Sequence, residues 1–245
     1  MLSSNPHIVD PWLVLHGTDI LLPTEHILPR AKREGIVINL ADLRAYYFKN
    51  GTSEILTFPI GVGRNGWETP LGEAHVTGKK EKPYWKVPKS ILEEDPSWPP
   101  VVPPGPDNPL GDHAIYLSMP SYLLHGTNKA WGVGMRVSHG CIRLYPEGIE
   151  KLYNLVSLET PVTIVDQPIK AGWRDDKLYV EVHIMHEYGM EEGVKLAPRN
   201  TLLPEAAKVI QEVAGIEINK IDWSLVVSAV MQGKGLPVSV MREKN

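Results

Sequence analysis

The chain holds a single cysteine, Cys141, and two of its nine histidines lie near it in sequence. His139 precedes the thiol by two residues and His125 precedes it by 16. A thiol attacks a carbonyl only as thiolate, and its free pKa is about 8.5. Nearby cations lower that value, and an imidazole can take the proton and return it to a leaving amine. Both His125 and His139 qualify as that base. If residues 139–143 are extended, His139, Cys141 and Arg143 project to one side. Gly140 has no side chain, so its backbone can come close to a substrate. Successive amides over 139–141 would then suit an oxyanion. The same pattern also suits a buried structural thiol with incidental histidines.

Most of the elements that must position these residues read as strands. Ile36–Leu40, Leu43–Phe48 and Glu54–Ile60 are β-branched or aromatic runs separated by turn signals, which predicts a meander. Residues 74–78, 113–118, 122–125, 161–165 and 178–183 continue in strand character. Pro146 opens a helical pattern, with Ile149, Leu152, Tyr153 and Val156 on one face. Residues 203–214 and 222–231 predict two further helices in a small C-terminal appendage. Residues 81–112 are rich in Pro, Trp and Asp, and so long a connection suits a lid or a substrate wall. Trp85, Trp98 and Trp131 suit either a groove lining or packing. The fold class expected is mainly β with a few helices.

Composition narrows the function. The 245 residues carry a net charge of −4, with no Lys/Arg run suited to nucleic acid. Apolar residues make up 42% and mean hydropathy is −0.17, which fits a packed core. No apolar run is long enough to span a membrane. The start of the chain lacks a basic region followed by an apolar one, so on its own it does not read as a signal peptide. His183 and His186 lack the spacing of a zinc helix. Gly61, Gly63 and Gly66 mimic a nucleotide loop, but no helix pattern follows them. No metal or cofactor is expected.

His125-Gly126-Thr127-Asn128 followed by Ser138-His139-Gly140-Cys141-Ile142-Arg143 resembles the signature of the L,D-transpeptidase (YkuD) catalytic domain. The likeness extends over about 34–168. It includes Gly35–Leu40, Pro59–Arg64 and Thr69–Gly72, and Val102–Gly111 is similar to the ErfK/YbiS-like branch. Residues 1–30 resemble the second half of a LysM glycan-binding module, whose first half is absent. The organisation expected is therefore a LysM-like remnant over 1–30, a catalytic domain over 34–168, and an extension over 169–245 with a strand and two helices.

The resemblance implies a β-sandwich and a cysteine acyltransferase acting on peptidoglycan. Cys141 is the implied nucleophile, and His125 its base, oriented by the Gly126 carbonyl. His139 and Gly140 flank the implied oxyanion site. Arg143 either binds a substrate carboxylate or braces the loop through an ion pair. Ser138 holds the loop, and Asn128 and Tyr122 are supporting candidates; Ser138, Gly140, Arg143 and Asn128 form the substrate side. The implied partners are peptidoglycan stem peptides, with another stem or the C-terminal lysine of an outer-membrane lipoprotein as acceptor. Water as acceptor would make the protein a carboxypeptidase, and a decayed site would leave a wall-binding protein. The implied location is the periplasm, the signal peptide being absent from a truncated start.

Overall fold

Branched and aromatic side chains pack well on a pleated surface, and here they form most of the regular structure. A computed structural model of the protein describes residues 4–5, 7–8, 13–184, 186–189, 193–196 and 199–242. The chain divides into two compact units, Ala31–Asp166 and a second made of Met1–Arg30 with Gln167–Asn245.

The first unit is a mainly β structure. Its strands are β1 (Gly35–Asn39), β2 (Arg44–Phe48), β3 (Ile55–Gly63), β4 (Gly72–Glu81), the short β5 (Trp85–Lys86) and β6 (Val101–Val102), β7 (His113–Leu117), β8 (Leu123–His125), β9 (Arg136–Ser138), β10 (Ile142–Leu144) and β11 (Pro161–Val165). Two helices join them, α1 (Lys89–Glu94) and α2 (Pro146–Leu155). The main sheet runs β10-β8-β7-β4-β11-β1-β2-β3-β9, and a further pairing of β10 with β3 brings the ladder back on itself. β3 makes this closure possible. Residues 55–59 pair with β2, Ile60 and Gly61 with β10, and Val62 and Gly63 with β9. The strand therefore outruns the expected end at Ile60. Its glycines serve close passage rather than phosphate binding: a Cβ at Gly61 would strike the Gly132 carbonyl, and one at Gly63 the Trp67 carbonyl.

The core of this unit is apolar and continuous. Ile36, Ile38, Ile60, Ile115, Leu124, Ile142 and Leu144 pack with Ile149 and Leu152 of α2. Pro146 stands in the first turn of α2 with Glu147 beside it, as the favoured start of a helix requires. Leu43 lies in the turn before β2, at φ 54°, instead of in the strand expected there. The long connection between β4 and β7 is packed by its own residues. Trp85 and Trp98 meet edge to face at 5.1 Å, and buried Asn108 donates to the carbonyls of Pro83, Val102 and Pro103.

The second unit has its own core. β12 (Ile169–Arg174), β13 (Lys177–Val182) and β16 (Val238–Ser239) form an antiparallel sheet, and β14 (His186–Gly189) pairs with β15 (Gly193–Leu196). α3 (Leu203–Ala214) and α4 (Trp223–Gln232) lie within about a residue of the periodicity that announced them. Val180 and Val182 pack with Ala206, Ile210 and Val230. Residues 13–30 carry no strand or helix. They are tied down at a buried carboxylate, Glu181, which accepts from His183 Nε2 at 2.7 Å, Lys170 Nζ at 3.1 Å, His26 Nδ1 at 3.3 Å and the Ile27 N–H. Burial alone would raise the Glu181 carboxyl, but His183, His26 and Lys170 outweigh it and hold it well below the usual range. Met185 lies outside the described residues, as does the His186 side chain. No helix among the described residues is long and apolar enough to cross a membrane.

Candidate active site

The turn Ser138–Cys141 joins β9 to β10, and both strands pair with β3. A hydrogen-bonded frame holds it. Ser138 Oγ donates to the Cys141 carbonyl at 2.6 Å and accepts from the Gly140 N–H at 3.1 Å. Thr69 Oγ1 donates to the Gly140 carbonyl at 2.8 Å and accepts from the Gly63 N–H at 3.1 Å. The Ser138 carbonyl accepts from the Arg64 N–H at 3.0 Å. Gly140 sits at φ +101°, and a Cβ there would come within 2.8 Å of the Tyr122 ring. Only glycine passes between Tyr122 and that frame without strain. One expectation changes in detail. The Gly140 amide is engaged by Ser138, so the N–H groups of His139 and Cys141 are the ones left open among the three.

β8 brings His125 to this turn. It pairs in parallel with β10, Leu124 opposite Ile142 and His125 opposite Arg143. Side chains opposite one another in a ladder share a face, so Arg143 stands beside His125 and Cys141 follows on the same side. His125 is only 3% exposed. Its Nδ1 donates to the Gly126 carbonyl over 2.5 Å, which leaves Nε2 as the basic nitrogen. Burial, with the Arg143 charge, pushes the His125 pKa from 6.5 to about 3, against the pull of the Gly126 and Pro109 backbone. The imidazole is therefore neutral at any physiological pH.

Cys141 is half-buried, and its Sγ lies 3.6 Å from the Ser121 carbonyl. Burial pushes the thiol above its ordinary value, while the Leu123 backbone and the Arg143 charge favour the thiolate. Burial thus favours the uncharged form of both the Cys141 thiol and the His125 imidazole. Burial also lowers Arg143, whose Nε is buried without a hydrogen-bond partner. Among the described residues no carboxylate pairs with it, so the bracing ion pair contemplated from the sequence is not formed there.

His139 is differently placed. Its Nε2 lies 2.8 Å from Glu94 Oε2 of α1 and 3.1 Å from an Arg64 nitrogen, and Arg64 donates to both Glu94 oxygens at 2.9 Å. Trp67 meets the His139 ring edge-on at 5.0 Å. The engaged nitrogen of His139 is thus Nε2, whereas that of His125 is Nδ1. Asn128 is exposed and donates to the Pro106 carbonyl at 3.2 Å. With Gly126, Asp112 and Ile149 it lines a cavity of about 580 Å³, whose walls do not include Cys141. In the sequence Arg64 stood out only as the end of the Pro59–Arg64 block, and Glu94 not at all. Nothing in their spacing links them to residue 139, because Glu94 sits in an ordinary acidic run, Glu93-Glu94-Asp95.

A thiol, a free imidazole nitrogen, two open amides and a buried cation together suit acyl transfer through a covalent intermediate. Residues 33–164 match the family model of the YkuD L,D-transpeptidase catalytic domain. The chain belongs to the L,D-transpeptidase family. It is 37% identical to YbiS of Escherichia coli, described as a probable L,D-transpeptidase, over 97% of this chain and 78% of that one. It is 36% identical to the probable L,D-transpeptidase ErfK/SrfK of Salmonella typhimurium, over 98% of this chain and 77% of that one. A solved L,D-transpeptidase from Mycobacterium smegmatis superposes on 54% of this chain and 58% of its own, with a TM-score of 0.43 and 22% identity. The L,D-transpeptidase match falls on the first unit, and the likeness to YbiS and ErfK/SrfK takes in the second.

Proposed function

We propose that this protein is a peptidoglycan L,D-transpeptidase that works through a Cys141 thioester. The reading is carried by His125, buried and neutral, with Nδ1 committed to the Gly126 carbonyl and in register beside the strand that follows Cys141. His125 Nε2 takes the thiol proton as sulfur attacks the carbonyl of the third stem residue. Negative charge on that oxygen is met by the open amides of Cys141 and His139. The C–N bond to the terminal D-alanine breaks, and the amine leaves with the proton from His125. A second amine then attacks the thioester, giving its proton to His125 and freeing the thiol. That amine belongs to another stem or to a lipoprotein lysine, and water in its place yields a trimmed stem. Arg143, which no carboxylate among the described residues engages, is suited to a carboxylate of the donor. Catalysis at the wall implies a periplasmic site of action. The LysM-like likeness of residues 1–30, and with it the three-part division of the chain, belongs to the same reading.

The test is the intact mass of the protein after incubation with a synthetic tetrapeptide stem, for wild type and Cys141→Ala. Wild type is expected to gain the donor less alanine, and Cys141→Ala to gain nothing. An added diamine separates transfer from hydrolysis by its products. A folded wild type that never acylates would overturn the proposal.

A further inference from the structure

The contact between α1 and the nucleophile turn is the feature that the acyl-transfer chemistry does not by itself require. Glu94 is the last residue of α1, inside the long connection between β4 and β7. It reaches the residue two before the thiol and closes a triangle with Arg64 and His139. Arg64 holds the same turn a second time, through its backbone N–H on the Ser138 carbonyl. The imidazole of His139 is thereby held at Nε2 by Glu94 and Arg64, with the Trp67 ring packed against it. The backbone it fixes includes the two open amides.

We propose that Glu94 is a positioning residue for the reaction, holding the nucleophile turn through His139 so that the His139 and Cys141 amides face the developing oxyanion. This deepens, and rests on, the cysteine acyl-transfer reading. The same contact makes the connection that carries Glu94 part of the acylation machinery. A donor peptide that moves α1 moves His139, and a donor that leaves α1 seated keeps the amides aimed. Glu94 and Arg64 are 41% and 38% exposed in their side chains. Ion pairs this exposed contribute little to stability, so the triangle is better explained by aim than by folding.

The experiment compares Glu94→Ala and Glu94→Gln with Glu93→Ala, a neighbour that pairs with Lys89. Two quantities are read: the acylation of Cys141 by the tetrapeptide at varied concentration, and hydrogen exchange of the peptide spanning 136–144. Glu94→Ala is expected to slow saturating acylation about tenfold, within the ~10²-fold range of a misplaced group, with less than about a twofold change in half-saturating concentration. Its 136–144 peptide is expected to exchange faster. Glu94→Gln, which still accepts from His139, is expected to recover most of the rate, and Glu93→Ala to match wild type. The proposal is overturned if Glu94→Ala acylates at the wild-type rate, or if its loss lies wholly in half-saturation. Should Glu94→Ala unfold, a Glu94→Gln variant slower than one hundredth of wild type would also overturn it. A wild type that never acylates sinks the transpeptidase reading, while the exchange comparison still decides whether Glu94 holds the turn.

Discussion

Replacing His125 by glutamine should flatten the acid sensitivity of the catalytic unit. The unfolded chain takes up a proton at His125 near pH 6.5, whereas the folded chain resists until about pH 3. Between those values the unfolded state binds more protons, so stability is complete above pH 6.5 and falls as pH falls. Each pH unit below 6.5 costs about 1.4 kcal/mol, which makes roughly 2 kcal/mol at pH 5. That is a large share of the 5–15 kcal/mol typical of a domain. Glutamine keeps an N–H for the Gly126 carbonyl and has no charge to gain. The Glu68 and Glu94 carboxyls, held below 4.5 by hydrogen bonds, titrate beneath this window and do not blur it. The assay is urea unfolding at pH 7.5 and pH 5.0, followed by hydrogen exchange of β1, whose five residues are all buried. Exchange at β1 reports on the first unit alone, so a separate transition of the second does not intrude. Wild type is expected to lose about 2 kcal/mol more than His125→Gln between the two conditions. Equal losses would refute a neutral buried imidazole, and with it the assignment of His125 as a base that starts uncharged.

Gly140→Ala places a Cβ against the Tyr122 ring at a left-handed φ. It should cost about 1–3 kcal/mol and stop acylation by tilting the Cys141 amide; unchanged melting and a normal adduct would contradict the frame described for the turn. Glu181→Gln takes the carboxylate from Lys170, His183 and His26 at once. The second unit should lose about 3 kcal/mol, measured by urea-dependent exchange of β13, and an unchanged midpoint would show that its other contacts suffice.

How much of this was legible in the sequence depends on the range of the interaction. The thiol, both histidines and the glycine between them lie within 17 residues of one another, so their types and spacing carried the signal. α2 announced itself because Pro146 and an apolar face at helical spacing act locally. The closing pairing of β3 with β10 left no local mark, since it joins Ile60 and Gly61 to residues more than 80 positions later. The occupation of His139 by Glu94 was equally hidden, because an acidic residue on a short exposed helix looks the same whether or not it meets a partner. β13 shows the alternation of any half-buried strand, and that pattern cannot reveal that Glu181 lies inward. β5 and β6, at two residues each, are too short for periodicity to mark.

The long connection has its two ends side by side. Glu81 and His113 are partners in the β4–β7 ladder, so everything from 82 to 112 is the loop of one enlarged hairpin. Such a loop can be lengthened, shortened or exchanged while every strand of the ring keeps its neighbours. Cys141 and His125 are thus carried by the ring, whereas Glu94 is carried by the loop. On the proposed reading, exchanging residues 82–112 would change the surface offered to a donor without disturbing the ring, provided the residue at position 94 still holds His139.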